Sequence, residues 1–172
     1  VSVPTQRELF VSVAATQIGY IEGPKDNETK YGKFTKANFL PWCGSFVMWC
    51  ADKVALRIPN CVSTLAGANA FKKAGRWQDA KVATPQVGDL AFFDFPGDGV
   101  DRISHIGIVS KVLKKNRVQV IEGNTSHSRK GDQRNGGEVC RKVRAYKKKN
   151  GRAALPSLPV AIVGFGKPRF KE

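Results

Sequence analysis

The chain has 172 residues, 41% of them hydrophobic and 25% charged, which suits one domain with a real core and excludes a disordered chain. No apolar run approaches the roughly 18 residues of a membrane span, so no membrane-spanning helix is expected. Lys plus Arg outnumber Asp plus Glu by 29 to 14, a net charge of +15; that excess draws a protein toward a polyanion or simply keeps its surface soluble. Zinc-finger spacing, a helix-turn-helix signature and aromatic-rich RNA motifs are all missing, so no specific nucleic-acid partner is expected. The opening "VSVPTQRELF" lacks a basic region followed by a long apolar stretch and does not read as a signal peptide.

Thr5 with Glu8 three residues on forms a capping-box pattern, and Leu9, Val13 and Ile18 supply a partial apolar stripe that Gly19 ends, so a first helix is expected over Thr5 to Gly19. Residues 20–40 are polar, bear glycine and proline, and read as loop. In "PWCGSFVMWCADK" (41–53), Phe46, Val47, Trp49, Cys50 and Val54 recur at three- and four-residue steps, which predicts a helix buried on one face. A further short helix is expected from Ser63, its cap, to Gly75, its stop. After Pro85 the character changes. "GDLAFFDF", "HIGIVSKVL", "RVQVIEGN", "GEVCRKVRAY" and "PVAIVGFGK" are β-rich runs, and Lys114–Asn116 fits a hairpin turn between two of them. The basic stretch Arg141–Arg152 reads as an exposed strand end and loop, and 147–159 as a loop leading to the last strand. Helices first and strands after predict an α+β domain, with helices packed on one side of a mainly antiparallel sheet.

The four cysteines, Cys43, Cys50, Cys61 and Cys140, do not have zinc-ligand spacing. Cys43 and Cys50 lie about two helical turns apart, ~10 Å, too far for a disulfide. A thiol in the first turn of a helix feels free backbone N–H groups and the positive end of the helix dipole, which favour the nucleophilic thiolate. Pro41 sets the chain's entry there and Trp42 is placed to wall one side. A small core residue explains Cys43 equally well, and Cys50 belongs to the buried face. Of the two histidines, His127 sits in a polar loop and reads as solvated. His105 begins an apolar strand, where its ring can project from the sheet end toward a helix terminus. A nucleophilic thiol needs a base, and the base needs a group to orient it. Glu122 and Asn124 end the strand expected to pair with that of His105. Being two apart, both are expected on one face, and each can accept from an imidazole N–H.

"PWCGSFVMWCAD", "VGDLAFF", "SHIGIV" and "IEGNTS" resemble, in order and spacing, the CHAP domain, the cysteine, histidine-dependent amidohydrolases/peptidases of the papain-like superfamily. The resemblance runs from about Thr5 to Pro168, and the "NETKYGKF…PWC" lead-in is most like that of phage endolysins. It implies a papain-like CHAP fold, one catalytic domain over 1–172 with a helical part near 5–75 and a β-rich part near 86–168. It also implies Cys43 as nucleophile, His105 as base, Glu122 as its orienter and Asn124 as a further polar member of the site. Tyr31 would line the site as a substrate or oxyanion contact beside Trp42.

The implied activity is peptidoglycan hydrolysis, as an N-acetylmuramoyl-L-alanine amidase or an endopeptidase. Its partners would be peptidoglycan and, through the net charge, anionic wall polymers. A monomer is expected, made in a phage-infected host's cytoplasm and acting on the wall, or extracellular. Some relatives bind Ca²⁺ in a loop that Asp26 and Glu28 would form here; the alternative is an acidic loop offsetting Lys25, Lys30 and Lys33, and no cofactor is expected to be required. Two other functions fit the same residues: a papain-like peptidase acting on proteins, and a non-enzymatic basic wall- or nucleic-acid-binding module.

Overall fold

The computed structural model describes residues 2–146 and 159–171, so the expected loop at 147–159 lies, apart from Pro159, outside the described residues. Helices precede strands, as the order of the sequence patterns predicts. Helix α1 spans Gln6–Thr16, and Thr5 closes a complete capping box with Glu8. Its buried face is Phe10 and Ala14, one turn apart. The stripe read from the sequence is not that face: Leu9 and Ile18 are exposed. The segment read as loop contains a short helix, α2 (Lys30–Phe34), whose N-cap Thr29 accepts from the Gly32 amide; five residues are too few to show a period. Helix α3 (Cys43–Lys53) buries Cys43, Phe46, Val47 and Cys50. Helix α4 (Thr64–Lys73) is capped by the Ser63 hydroxyl. Gly75 follows its end at φ 65°, a conformation that favours glycine. No helix among the described residues is long and apolar enough to cross a membrane.

Six strands follow: β1 (Trp77–Asp79), β2 (Leu90–Phe93), β3 (His105–Leu113), β4 (Arg117–Thr125), β5 (Glu138–Tyr146) and β6 (Val160–Gly166). Their order is β1-β6-β2-β3-β4-β5, antiparallel throughout, but β5 also pairs with β6 in parallel. That last pairing closes the sheet on itself. The mainly antiparallel sheet expected from the sequence is present, and strand twist and register shifts along β2–β6, β3–β4 and β4–β5 bend it into a barrel. The β3–β4 turn falls at Lys114–Asn116, with Lys115 and Asn116 both at positive φ.

Closure gives the molecule two cores. Outside the barrel, α1, α3 and α4 pack Phe10, Phe46, Cys50 and Phe71 against Phe92, Ile106, Ile108 and Ile121. Inside it, Ala91, Phe93, Val109, Val118, Val120, Tyr146 and Phe165 fill the interior. Side chains alternate across a strand, so His105 shares the inward face of Val109, Glu122 that of Val118 and Val120, and Arg144 that of Tyr146. These three polar residues lie where the apolar filling of the barrel ends.

Candidate active site

Cys43 is the first residue of α3, only 3% exposed. Its N-cap, Trp42, provides no side-chain hydrogen bond to the helix, so the first-turn amides meet no capping side chain. The turn is held in place by a close approach: a Cβ on Gly44 would fall 1.8 Å from the Cys61 carbonyl oxygen. All four cysteines are free and buried. Burial pushes the Cys61 thiol up to about 12 and the Cys140 thiol up to about 11, which keeps both in the unreactive thiol form.

His105 opens β3 and is fully buried. Its ring lies edge-on to Phe93 at 5.2 Å and tilted to Phe95 at 5.6 Å between centroids. Nε2 sits 2.8 Å from Glu122 Oε1. Glu122 reaches it diagonally across β3, over Gly107, where a Cβ would come within 2.7 Å of the Glu122 Cγ. Any other residue at 107 would stand in the path of that carboxylate. Nδ1 has no hydrogen-bond partner. Burial alone would lower the His105 pKa, but the neighbouring Cys43 sulfur and then Glu122 push it up to about 9. With Nε2 held by Glu122, Nδ1 is the nitrogen left to meet the thiol.

The carboxylate is itself held. Arg144 donates from Nε to Oε2 and from Nη2 to Oε1 of Glu122, both at 2.7 Å. Its guanidinium also lies over the rings of Phe93 and Phe95, at 5.5 and 5.2 Å. Burial disfavours ionised Glu122, yet the charge and hydrogen bonds of Arg144, followed by those of His105, hold its carboxyl down at about 2. A fully buried anion is tolerated only with such compensation. Arg144 is the residue that reading the sequence missed, since Arg141–Arg152 looked like exposed strand and loop. A signal was present: period two places Arg144 on the face of Tyr146, and a carboxylate inside an apolar strand needs a cation from a neighbouring strand.

The structure thus brings together Cys43, His105 and Glu122, and places the other expected site residues elsewhere. Asn124 does not share its environment with Glu122. A register shift after Glu122 and a φ of 56° at Asn124 break the alternation. Its amide nitrogen donates to Asn135 and Asn27, and its oxygen accepts from the Gly137 amide, so it ties together the loops beside the site and makes no hydrogen bond to His105. Tyr31 is fully buried, stacked on Trp42 and edge-on to Phe46 and Trp49, with its hydroxyl donated to Gln17. Trp42 is equally buried and donates its indole N–H to Glu22 at 2.6 Å. Neither presents a surface to substrate; large aromatic side chains gain more from filling the core beneath α3. His127 is exposed.

The Asp26–Glu28 loop is closed on its own chain. Glu28 accepts from the Lys25 amide and pairs with Lys33, and Asp26 accepts from Asn27. Among the described residues no group of three or more His, Cys, Asp or Glu side chains converges to hold a metal. As its side chains stand, the loop does not fit a calcium cage.

A thiol at an uncapped helix start, facing an imidazole oriented by a buried carboxylate, is the arrangement of a cysteine hydrolase. The family model of the CHAP domain matches residues 35–124, just over half of the chain and the span from the approach to Cys43 through Glu122. The chain belongs to the CHAP domain family, whose members are in general cysteine- and histidine-dependent amidohydrolases, and this membership supports an amide-bond hydrolase. A search of curated protein sequences gave no match. Eight solved chains match in fold. One is the crystal structure of Ly7917, at a TM-score of 0.50 and 14% identity, covering 94% of this chain and 62% of that one. That likeness concerns the fold alone, and the chain spans less than two thirds of the longer protein.

Proposed function

We propose that the chain is a peptidoglycan hydrolase of the endolysin kind, cleaving an amide bond of the bacterial wall through a cysteinyl acyl-enzyme. The observation that carries this reading is the buried Arg144–Glu122–His105 chain ending at a histidine nitrogen left free beside Cys43. The Cys43 thiolate attacks the amide carbonyl carbon, and the oxyanion that forms accepts from backbone N–H groups at the start of α3. Protonated His105 gives its Nδ1 proton to the leaving nitrogen as the C–N bond breaks, leaving a thioester. Water, deprotonated by His105, attacks that thioester, releases the carboxylic acid and returns the thiolate–imidazolium pair. Glu122 keeps Nε2 protonated and the ring in register throughout, and Arg144 keeps Glu122 ionised.

Thiol, imidazole and carboxylate all come from the chain, so no cofactor takes part in these steps, and a chelator is expected to leave the rate unchanged. The wall as substrate is supported by family membership and by the net charge of +15, which suits an anionic wall polymer as partner. The enzyme is proposed to act as a monomer on the wall, made in a phage-infected cytoplasm or released outside the cell.

Mass spectrometry of purified peptidoglycan digested with the protein and with Cys43→Ala tests the proposal. New amino termini on L-alanine identify an amidase, and new termini within the stem or cross-bridge peptide an endopeptidase. Cleavage of casein with intact peptidoglycan would replace the reading with a peptidase acting on proteins.

A further inference from the structure

A groove of about 470 Å³ lies away from the catalytic thiol, lined by Gln6, by the α3–α4 connection at Ala55, Arg57 and Pro59, by the end of α4, and by the C-terminal residues Lys167, Pro168, Arg169 and Lys171. It is at the other end of α3. That helix has 11 residues, about 16 Å at 1.5 Å per residue, with Cys43 as its first and Ala55 just past its last. The sheet gives the same separation. Phe93 of β2 pairs with His105, whereas Leu90, at the opposite end of β2, pairs with Gly166, next to Lys167.

Five cations line this groove, Arg57, Arg76, Lys167, Arg169 and Lys171, and among the described residues no acidic one does. Two of them are tied into the fold. Arg76 donates to the carbonyls of Lys167 and Pro168, and Lys167 pairs with Asp89 and donates to the Thr84 carbonyl. The other three, Arg57, Arg169 and Lys171, are exposed and their side chains have no hydrogen-bonding or ionic partner among the described residues. The fold therefore fixes two cations in the wall and leaves three facing solvent around one depression. Between them the surface is aliphatic: Ala55, Pro59, Ala74 and Pro168, over a buried Phe71. Among the described residues no exposed aromatic ring lines it to stack a base, as single-stranded nucleic acid requires. Multiple charges with a narrow aliphatic floor suit a flexible chain that carries an anion at each repeat and short aliphatic segments between.

We propose that this groove binds an anionic phosphodiester-linked polyol chain of the bacterial wall, holding the enzyme on its substrate without covering Cys43. The inference rests on the wall reading above. Bound there, the polymer places successive phosphates against Arg57, Arg169 and Lys171, and its polyol segments lie on the aliphatic floor. The charge of the whole surface steers the protein toward the wall, while this groove gives the contact a place.

The experiment measures binding of a glycerol-phosphate oligomer by fluorescence anisotropy at about 0.1 M salt, for the parent and for the triple variant Arg57→Gln, Arg169→Gln, Lys171→Gln. All three residues are exposed, so the variant is expected to keep its melting temperature. A control triple, Lys114→Gln, Lys115→Gln, Lys130→Gln, removes the same charge from exposed positions outside the groove. The groove variant is expected to bind about tenfold more weakly, with a shallower salt dependence, and the control to change less than about twofold. Equal weakening by both triples would overturn the proposal, because net charge would then explain the binding, as would unchanged binding in the groove variant. Tighter binding of a single-stranded oligonucleotide of equal charge, lost in the groove variant, would assign the groove to nucleic acid instead. Digestion of peptidoglycan stripped of its anionic polymer is run alongside. The groove variant is expected to match the parent there; a parent that fails to digest it would refute the wall reading, while the oligomer arm still decides the groove.

Discussion

The two ends of α3 use charge in opposite ways. At the catalytic end His105, Glu122 and Arg144 are buried, each held by the next at 2.7–2.8 Å. At the groove end Arg57, Arg169 and Lys171 stand in water with no side-chain partner among the described residues. Buried charges are barely screened and cannot relax, so removing one leaves another stranded and costs a great deal. Exposed charges act weakly, additively and in proportion to salt. One end is built for position, the other for attraction.

The sharpest break falls on the nucleophile. Cys43→Ala is expected to lower hydrolysis by at least about 10⁴-fold while leaving oligomer binding at the groove intact, measured by product mass spectrometry and anisotropy. Glu122→Gln comes next. It strands the Arg144 charge and lets the imidazole lose its orientation, so kcat is expected to fall about 10³-fold and stability by about 3 kcal/mol in urea unfolding. Arg144→Met attacks the same network one step further from the thiol. Stability is again expected to fall by about 3 kcal/mol, and the acid limb of the pH–rate profile to move upward, because the cation that holds Glu122 ionised is gone. Arg144→Lys should restore part of the profile, which a purely structural role would not require.

The pH dependence of stability sharpens the comparison without mutation. His105 is raised from 6.5 to about 9, so its contribution is complete below 6.5 and is lost as pH rises through 9. Glu122 is lowered from 4.5 to about 2, so its contribution is complete above 4.5 and is lost as pH falls through 2. Thermal unfolding is expected to show both flanks, and kcat/KM to decline above about pH 9 as the imidazolium is lost. The groove triple should change neither flank. Smallest of all, Tyr31→Phe removes only the bond to Gln17; a loss of about 1 kcal/mol with unchanged kcat is expected, and a large fall in kcat would return Tyr31 to the site.

Much of the fold was legible because its signals are local. The Thr5–Glu8 capping box, the Ser63 cap, the helical period around Cys50 and the five β-rich runs each declare themselves within a dozen residues. Cys43, His105 and Glu122 were singled out by the resemblance of "PWCGSFVMWCAD", "SHIGIV" and "IEGNTS" to the CHAP domain; a helix start and two strand ends by themselves left Cys43 equally readable as a small core residue. Tyr31 was expected at the site from the resemblance and Trp42 from its place beside Cys43; neither signal says which side of α3 an aromatic ring packs on, and both rings are buried. Asn124 was misplaced because strict alternation was assumed across a bulge.

By itself the sequence determined the helical and β-rich halves, the reactive residue types and their order, and the charge that governs long-range attraction. These depend on local propensity and composition, which need no partner. Only the tertiary structure decided that β5 pairs with β6 and closes the barrel, that Arg144 turns inward to hold Glu122, and that three of the cations surround one groove. Each of these depends on contacts between residues 15 to more than 100 positions apart, set by how strands twist and which charges must be paired once water is excluded.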